Sequence, residues 1–401
     1  MADAVLRTLS GHAGAVIACA ISADDRLIAS GSTDRTARIW DPQSGKELAV
    51  LEGHAGTVTD CAFSGDGSFL VTASGDKTLK IWDCSTWTER KTLAGHADGV
   101  AACAASRDGS FVVSAGLDGA LGIWDVAAGK ERAILRGHTK EILDCALSPD
   151  GRWIASASPD YTVRLWDSVA GTEVRAFEGT LGSSVFHGCA FNHDGSAIAG
   201  ASVGEIYVWD IASAKRRLKL APRVAVLRCA FSPDDTLLVA AGANLGVKYN
   251  SLMIWDLATQ RQRARLEGGA KGSNPITVND CAMSANGRFV VSADEGLNTL
   301  RIWDVERSLE RGMAGGCFVA TAACGSEDAA DVVVLRRFRD EVLLRGRGGR
   351  ALVAVYETLS PLLADWMTRS ASARRLARRF VIRPAVALAR LCLTPSRDRR
   401  R

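Results

Sequence analysis

Trp-Asp pairs begin at Trp40, Trp82, Trp124, Trp166, Trp209, Trp255 and Trp303, at steps of 42, 42, 42, 43, 46 and 48 residues. No other feature constrains the fold as strongly. A unit of this length is one supersecondary element that can bury its apolar face only against its neighbours. Gly-His pairs end at His12, His54, His96 and His138, each histidine 28 residues before its tryptophan. Asp34, Asp76, Asp118 and Asp160 lie six residues before those tryptophans, and Ser30, Thr72, Ser114 and Ser156 lie ten before. Runs such as RTARIWD and KTLKIWD alternate with the period of a half-buried strand. SADD, SGDG, SRDG and SPDG are tight turns between strands.

These residues resemble the WD-repeat family of propellers, over about residues 5 to 304. The resemblance implies a mainly β fold, a propeller of seven four-stranded blades around a central channel. It further implies that His, Ser or Thr, Asp and Trp of one repeat form a buried hydrogen-bonded chain. Loss of one member would strand a buried polar group, at a cost of about 1–3 kcal/mol. The first four repeats fit at every defining position. Repeat five has EGTLGSS in place of Gly-His and no aspartate in its last turn, and repeats six and seven carry the longer insertions GANLGVKYNS and ADEGLNT. The opening AVLRTLSGH matches ELAVLEGH and ERAILRGH, which are outer-strand segments of later repeats. The start of the chain is therefore expected to supply the outer strand of the last blade, which closes the ring and removes an exposed edge.

The repeats carry no HExxH, phosphate loop or GxSxG. Four of the six histidines belong to the Gly-His pairs, and His193 replaces the proline of a PDG-type turn. Cys19, Cys61, Cys103, Cys145, Cys189, Cys229 and Cys281 recur one per repeat in the first strand, so they read as packed thiols and not disulfides. No CxxC or Cys/His cluster suggests a metal. The expectation is a protein without catalytic residues, cofactor or metal. In the resembled family the face carrying the loops into each first strand is the usual partner face. That makes Arg35, Asp60, Lys77, Lys140, Asp144, Tyr161 and Asp280 candidate contacts, with ordinary solvation the competing reading for each.

Composition breaks at Gly315. From there the chain has 17 arginines, no lysine and 8 acids, whereas the preceding residues carry 32 basic and 37 acidic side chains. The expected division is a propeller over 1–312 and a second module over 313–401. CFVATAACGS, VVVLRRFRDEVLL and GRALVAVYETLSPLLADWM resemble the bacterial CFI-box C-terminal domain, which implies a small α-helical module and a bacterial source. Helical spacing of Leu335, Phe338 and Val342, with Arg336, Arg337 and Arg339 beside them, agrees. Ser360-Pro361 reads as an N-cap followed by proline at the first helical position. Three roles compete for this tail: a bundle that packs on itself or a partner, a surface for anionic membrane, and nucleic-acid binding, the last weakened by few aromatics. Cys317 has no histidine near it in sequence, so packing is favoured over reactivity. With no secretory signal and no apolar run of spanning length, the chain reads as cytoplasmic, with peripheral membrane contact through the tail as a further option. The expected function is a non-catalytic scaffold or sensor, monomeric in its propeller. The alternative is a membrane-perturbing effector of a signalling or defence system, regulated by the propeller.

Overall fold

Every repeat places its tryptophan at the end of a third strand, and hairpin pairing on either side follows from that position. The structure, a computed structural model, describes residues 4–314 apart from 180–183, 223, 244–250 and 268–276. Within these, seven four-stranded antiparallel sheets follow one another along the chain. Blade one is Val16–Ile21, Ile28–Ser32, Ala37–Trp40 and Glu47–Leu51. The inner strands of the next six blades are Val58–Phe63, Val100–Ala105, Asp144–Leu147, Phe186–Phe191, Ala225–Phe231 and Val278–Met283. Consecutive inner strands lie against one another, and that of blade seven lies against that of blade one. The ring is closed as the sequence predicted: Val5–Ser10 pairs with Thr299–Asp304 and becomes the outer strand of blade seven. Asp3–Ser308 form one compact unit.

The core lies in the seams between blades. Trp40, Ile28 and Val16 of blade one pack with Val291, Ala293, Leu300 and Ile302 of blade seven. Trp124, Val112 and Val100 of blade three pack with Phe69, Val71 and Leu79 of blade two. Each such aliphatic or aromatic side chain contributes about 1.5–3 kcal/mol by leaving water. The seven repeat cysteines are buried in these seams as free thiols. Cys19, Cys103 and Cys145 direct their sulfurs at the Val291, Val71 and Val113 carbonyls of the preceding blade, at 3.8, 3.8 and 3.9 Å. Burial pushes Cys229 up to about 12, so these thiols are far from the thiolate a nucleophile needs.

Opposite each repeat tryptophan the outer strand carries one extra residue, a bulge. The extra residue is Leu48, Arg90, Arg132, Val174, Arg217, Arg263 and Leu6 in blades one to seven. In blades two, five and six this arginine pairs with the aspartate of the Trp-Asp motif: Arg90 with Asp83, Arg217 with Asp210, Arg263 with Asp256. In blades seven, one and four the position is aliphatic and exposed, 44%, 50% and 45% for Leu6, Leu48 and Val174.

The last described element is the helix Val305–Ala314. The helical CFI-box-like module, Cys317, Arg336, Arg337 and Arg339 lie outside the described residues. No helix among the described residues is long and apolar enough to cross a membrane.

Candidate functional site

In blade one, His12 Nδ1 lies 2.8 Å from Asp34 Oδ2, and His12 Nε2 lies 2.7 Å from Ser30 Oγ. The Trp40 indole N–H donates to Ser30 Oγ over 2.9 Å. An indole only donates and a carboxylate only accepts, which fixes the whole chain. Trp40 donates to Ser30, Ser30 donates to His12 Nε2, and His12 donates from Nδ1 to Asp34. Blades two, three and four repeat the arrangement through Thr72, Ser114 and Ser156, with imidazole–hydroxyl distances of 2.8, 2.7 and 2.7 Å. The corresponding imidazole–carboxylate distances to Asp76, Asp118 and Asp160 are 2.9, 3.1 and 2.8 Å. The indoles of Trp82, Trp124 and Trp166 complete the three chains.

Burial lowers the affinity of His12 and His54 for a proton, against the opposing carboxylates of Asp34 and Asp76. Burial raises Asp34 and Asp76 in turn, but the Thr36 and Thr78 hydroxyls and the histidines outweigh it and hold both well below the ordinary carboxylate range. The imidazoles of His12 and His54 are thus held toward the neutral form, with both nitrogens engaged. The sixteen residues form four internal struts whose polar atoms are engaged with one another.

What these struts position is the turn after each aspartate. Arg35, Lys77 and Tyr161 follow Asp34, Asp76 and Asp160 with φ of 69°, 73° and 73°, where blade three has Gly119 at 75°. Left-handed backbone costs a bulky residue free energy that glycine avoids. All three side chains are exposed. The Lys77 ammonium donates to the Ala97 carbonyl of blade three at 2.8 Å. The Lys140 ammonium sits 5.2 Å from the centre of the Tyr161 ring, within cation–π range. Beside this pair lies a shallow pocket of about 270 Å³ lined by Leu117, Asp118, Gly119, His138, Thr139, Lys140 and Glu141.

Asp60, Asp144 and Asp280 stand apart from those four residues. Their carboxylates are turned into the inner wall, not out from the loop face. Each bridges two blades by accepting two backbone N–H groups. Asp60 accepts from Cys61 and Cys103, Asp144 from Cys145 and Cys189, and Asp280 from Cys281 and Cys19, at 2.8–3.0 Å. Sequence reasoning missed Arg228, the cation that these acids share. Its guanidinium donates to the His187 carbonyl at 2.8 Å and lies 3.7 Å from Asp144. It reaches past Gly188, where a Cβ would stand 2.5 Å from the Leu227 carbonyl oxygen. Burial pushes Asp60 up to about 7 and Asp144 to about 6, with Arg228 opposing in both. The signal was available in the residue before each repeat cysteine: Ala18, Asp60, Ala102, Asp144, Gly188, Arg228, Asp280. Every aspartate is followed one blade later by a residue small enough to admit its carboxylate.

The last three blades are built differently. Gly200 and Ala240 stand where blades one to four have a hydroxyl. In blade five Tyr207 stacks on Trp209 with ring centres 5.4 Å apart, and Phe186 meets both edge-on. In blade six the Trp255 indole N–H is buried with no acceptor among the described residues. Blade seven keeps the bond from Trp303 to Ser292 at 2.9 Å and buries Asp294 beside Arg301 at 3.3 Å. Among the described residues no group of three His, Cys, Asp or Glu side chains is arranged to hold a metal ion.

Comparison with known proteins agrees with this geometry. The model of the WD domain, G-beta repeat, matches residues 4–41, 45–83, 87–125, 129–167 and 265–304, which are repeats one to four and the last. The two repeats without a match are those that lost both hydroxyl and histidine. Two curated relatives are similar over about one repeat each. One is the vegetative incompatibility protein HET-E-1 of Podospora anserina, 49% identical over 43 residues, which are 11% of this chain and 3% of that protein. The other is eukaryotic translation initiation factor 3 subunit I of Xenopus tropicalis, 47% identical over 45 residues, which are 11% of this chain and 14% of that protein. The similarity therefore spans a small part of either relative.

Proposed function

Because the ring is a seven-bladed propeller of WD repeats, we propose that the protein is a non-catalytic scaffold or sensor whose loop face binds a protein partner. Propellers of this kind generally serve as rigid platforms with function carried by exposed loops. Three exposed side chains on left-handed backbone support the reading: Arg35, Lys77 and Tyr161 occupy a position that glycine would fill with less strain. Strain of this kind, held by a rigid frame, clusters at binding sites. Lys140, braced on Tyr161, extends the same surface. The struts beneath supply the rigidity, so the ordering cost of binding is small.

The segment 313–401 is proposed as a separate docking module, on the ground of its arginine-rich composition. It would hold a partner or lie on anionic membrane.

A pull-down from the native cell tests both parts. The full chain is compared with a Lys77→Glu, Tyr161→Gly, Lys140→Glu variant and with residues 1–314. Partners lost by the triple variant at unchanged melting temperature are expected for the loop face. Recovery of the same partners in the same yield by the variant would sink the assignment. Partners lost only by 1–314 belong to the tail.

A further inference from the structure

The residue before each repeat cysteine sets how a blade is tied to its neighbours. From blade one to blade seven the series is Ala18, Asp60, Ala102, Asp144, Gly188, Arg228 and Asp280. Each aspartate accepts from the cysteine N–H beside it and from the cysteine N–H of the following blade, where a small residue makes room. Asp60 thereby ties blade two to three, Asp144 ties four to five, and Asp280 ties seven to one. An alternation of aspartate and small residue closes only around an even number of blades. In a ring of seven it must break once, and it breaks at Arg228 in blade six. That guanidinium ties blade six backwards, donating to the His187 carbonyl of blade five at 2.8 Å and to the Leu143 carbonyl of blade four at 3.3 Å.

Three seams receive no such tie: one to two, three to four, and six to seven. Along the inner wall no side-chain nitrogen or oxygen of the described residues bridges them. Second bridges reinforce tied seams instead. Thr59 Oγ1 donates to the Val100 carbonyl at 2.6 Å across two to three, and Asn279 Nδ2 donates to the Val16 carbonyl at 3.1 Å across seven to one. Contacts of other kinds do not separate the two classes of seam. Backbone bonds cross both, from Ile142 N–H to Gly116 at three to four and from Phe186 N–H to Ser158 at four to five. Thiol contacts of 3.8–3.9 Å also cross both, and apolar side chains fill the untied one-to-two seam as they fill two to three. What distinguishes the tied seams is a hydrogen bond to a charged group, which is about twice as strong as a neutral one.

We propose that the propeller consists of three rigid groups of blades, seven with one, two with three, and four with five and six, and that the ring opens first at the three untied seams. The loop-face pocket crosses one of these seams. Leu117 and Gly119 come from blade three, and His138 and Lys140 from blade four. Opening there parts the two walls of the pocket. This consequence rests on the loop-face reading, whereas the division into groups does not.

The repeat cysteines are built-in reporters of the seams. All seven are 4–7% exposed, so static exposure does not distinguish them. Cys61 and Cys145 pack in the untied seams with blades one and three, and Cys281 Sγ meets the Arg228 carbonyl across the third. Cys19, Cys103 and Cys189 pack in tied seams. The full chain is pulsed with iodoacetamide without denaturant at about pH 8, above the values of about 7 and about 6 to which burial raises Asp60 and Asp144. Mass spectrometry reads each cysteine separately, and each rate is divided by that of the same cysteine in urea. Cys61, Cys145 and Cys281 should react about tenfold or more faster than Cys19, Cys103 and Cys189. Each of the three has an aspartate beside it in sequence, which slows thiolate formation and so works against the expected order. Asp60→Ala should speed Cys103 about tenfold and leave Cys189 unchanged, and Asp280→Ala should do the same for Cys19. The comparison within the parent chain needs no variant. One common rate for all these cysteines would mean that the ring opens only as a whole and would overturn the proposal. Faster reaction at Cys103 and Cys189 than at Cys61 and Cys145 would overturn it too, as would an unchanged Cys103 in folded Asp60→Ala.

Discussion

Blades one to four and blades five to seven share one strand frame and hold their tryptophans by different means. In the first four, indole, hydroxyl, imidazole and carboxylate form one unbroken donor–acceptor chain. In blade five the hydroxyl position is Gly200, and Phe177, Phe186 and Tyr207 pack about Trp209 instead. In blade six Ala240 leaves the Trp255 N–H without an acceptor among the described residues, yet the strand register is the same. The difference teaches that the polar chain is not what specifies a blade. Apolar alternation sets the strands and their register, and the polar chain then adds stability and stiffness to the turn above it. Replacing a polar pair by well-packed apolar groups is close to neutral, whereas removing half of one is not.

Three substitutions rank the two kinds of blade. Phe186→Ala opens a cavity beside Tyr207 and Trp209 and should destabilise by about 3–5 kcal/mol, read as the shift in urea midpoint. His54→Ala leaves the buried Thr72 and the half-buried Asp76 each short of a partner and should cost about 1–3 kcal/mol. If His54→Ala proved the more damaging of the two, the polar chain would be the stronger element and the comparison would reverse. Ala240→Ser restores a hydroxyl beside the Trp255 indole and should stabilise by about 0.5–1.5 kcal/mol. Destabilisation by that change would mean blade six is packed too tightly to accept the polar chain.

Much of this frame was legible in the sequence, because period and spacing are local. The Trp-Asp step and the fixed offsets of His12, Ser30 and Asp34 identify seven blades and four struts before any coordinate is known. Ring closure was legible too, from the match of AVLRTLSGH to later outer strands. The inner wall shows in the sequence only as the series of residues before the repeat cysteines, whose contacts run between blades. Asp60 and Cys103 are hydrogen-bonded at 2.9 Å across 43 residues, and the place of Asp60 depends on how blades abut. Arg228 was missed for the same reason: its partners His187 and Asp144 belong to other blades, and nothing in its own repeat marks it. The exposed bulge residues Leu6, Leu48 and Val174 were also invisible, since a bulge appears only once two strands are paired.

The smallest net effect in the set divides the aspartates by the sign of their response to pH. Asp34, Asp76, Asp118 and Asp160 are held below their ordinary value of 3.8, so their contribution is complete above it and is lost as pH falls through the folded values. His12 and His54 act in the same direction. Folding holds them below 6.5, so the unfolded chain takes up protons first and stability falls as pH drops past that value. The inner wall acts in reverse. Asp60 and Asp144 are raised to about 7 and about 6, so between 3.8 and those values the folded chain keeps protons the unfolded chain has released. Their contribution therefore shrinks as pH rises across that window. With the two sets opposed, the urea midpoint of the parent should change little between about pH 5 and 7. Asp60→Asn, Asp144→Asn and Asp280→Asn together remove the inner-wall term, and the midpoint should then climb with pH over the same range. A midpoint that stayed as flat as the parent's would mean the inner acids titrate at ordinary values and that Arg228 neutralises them fully.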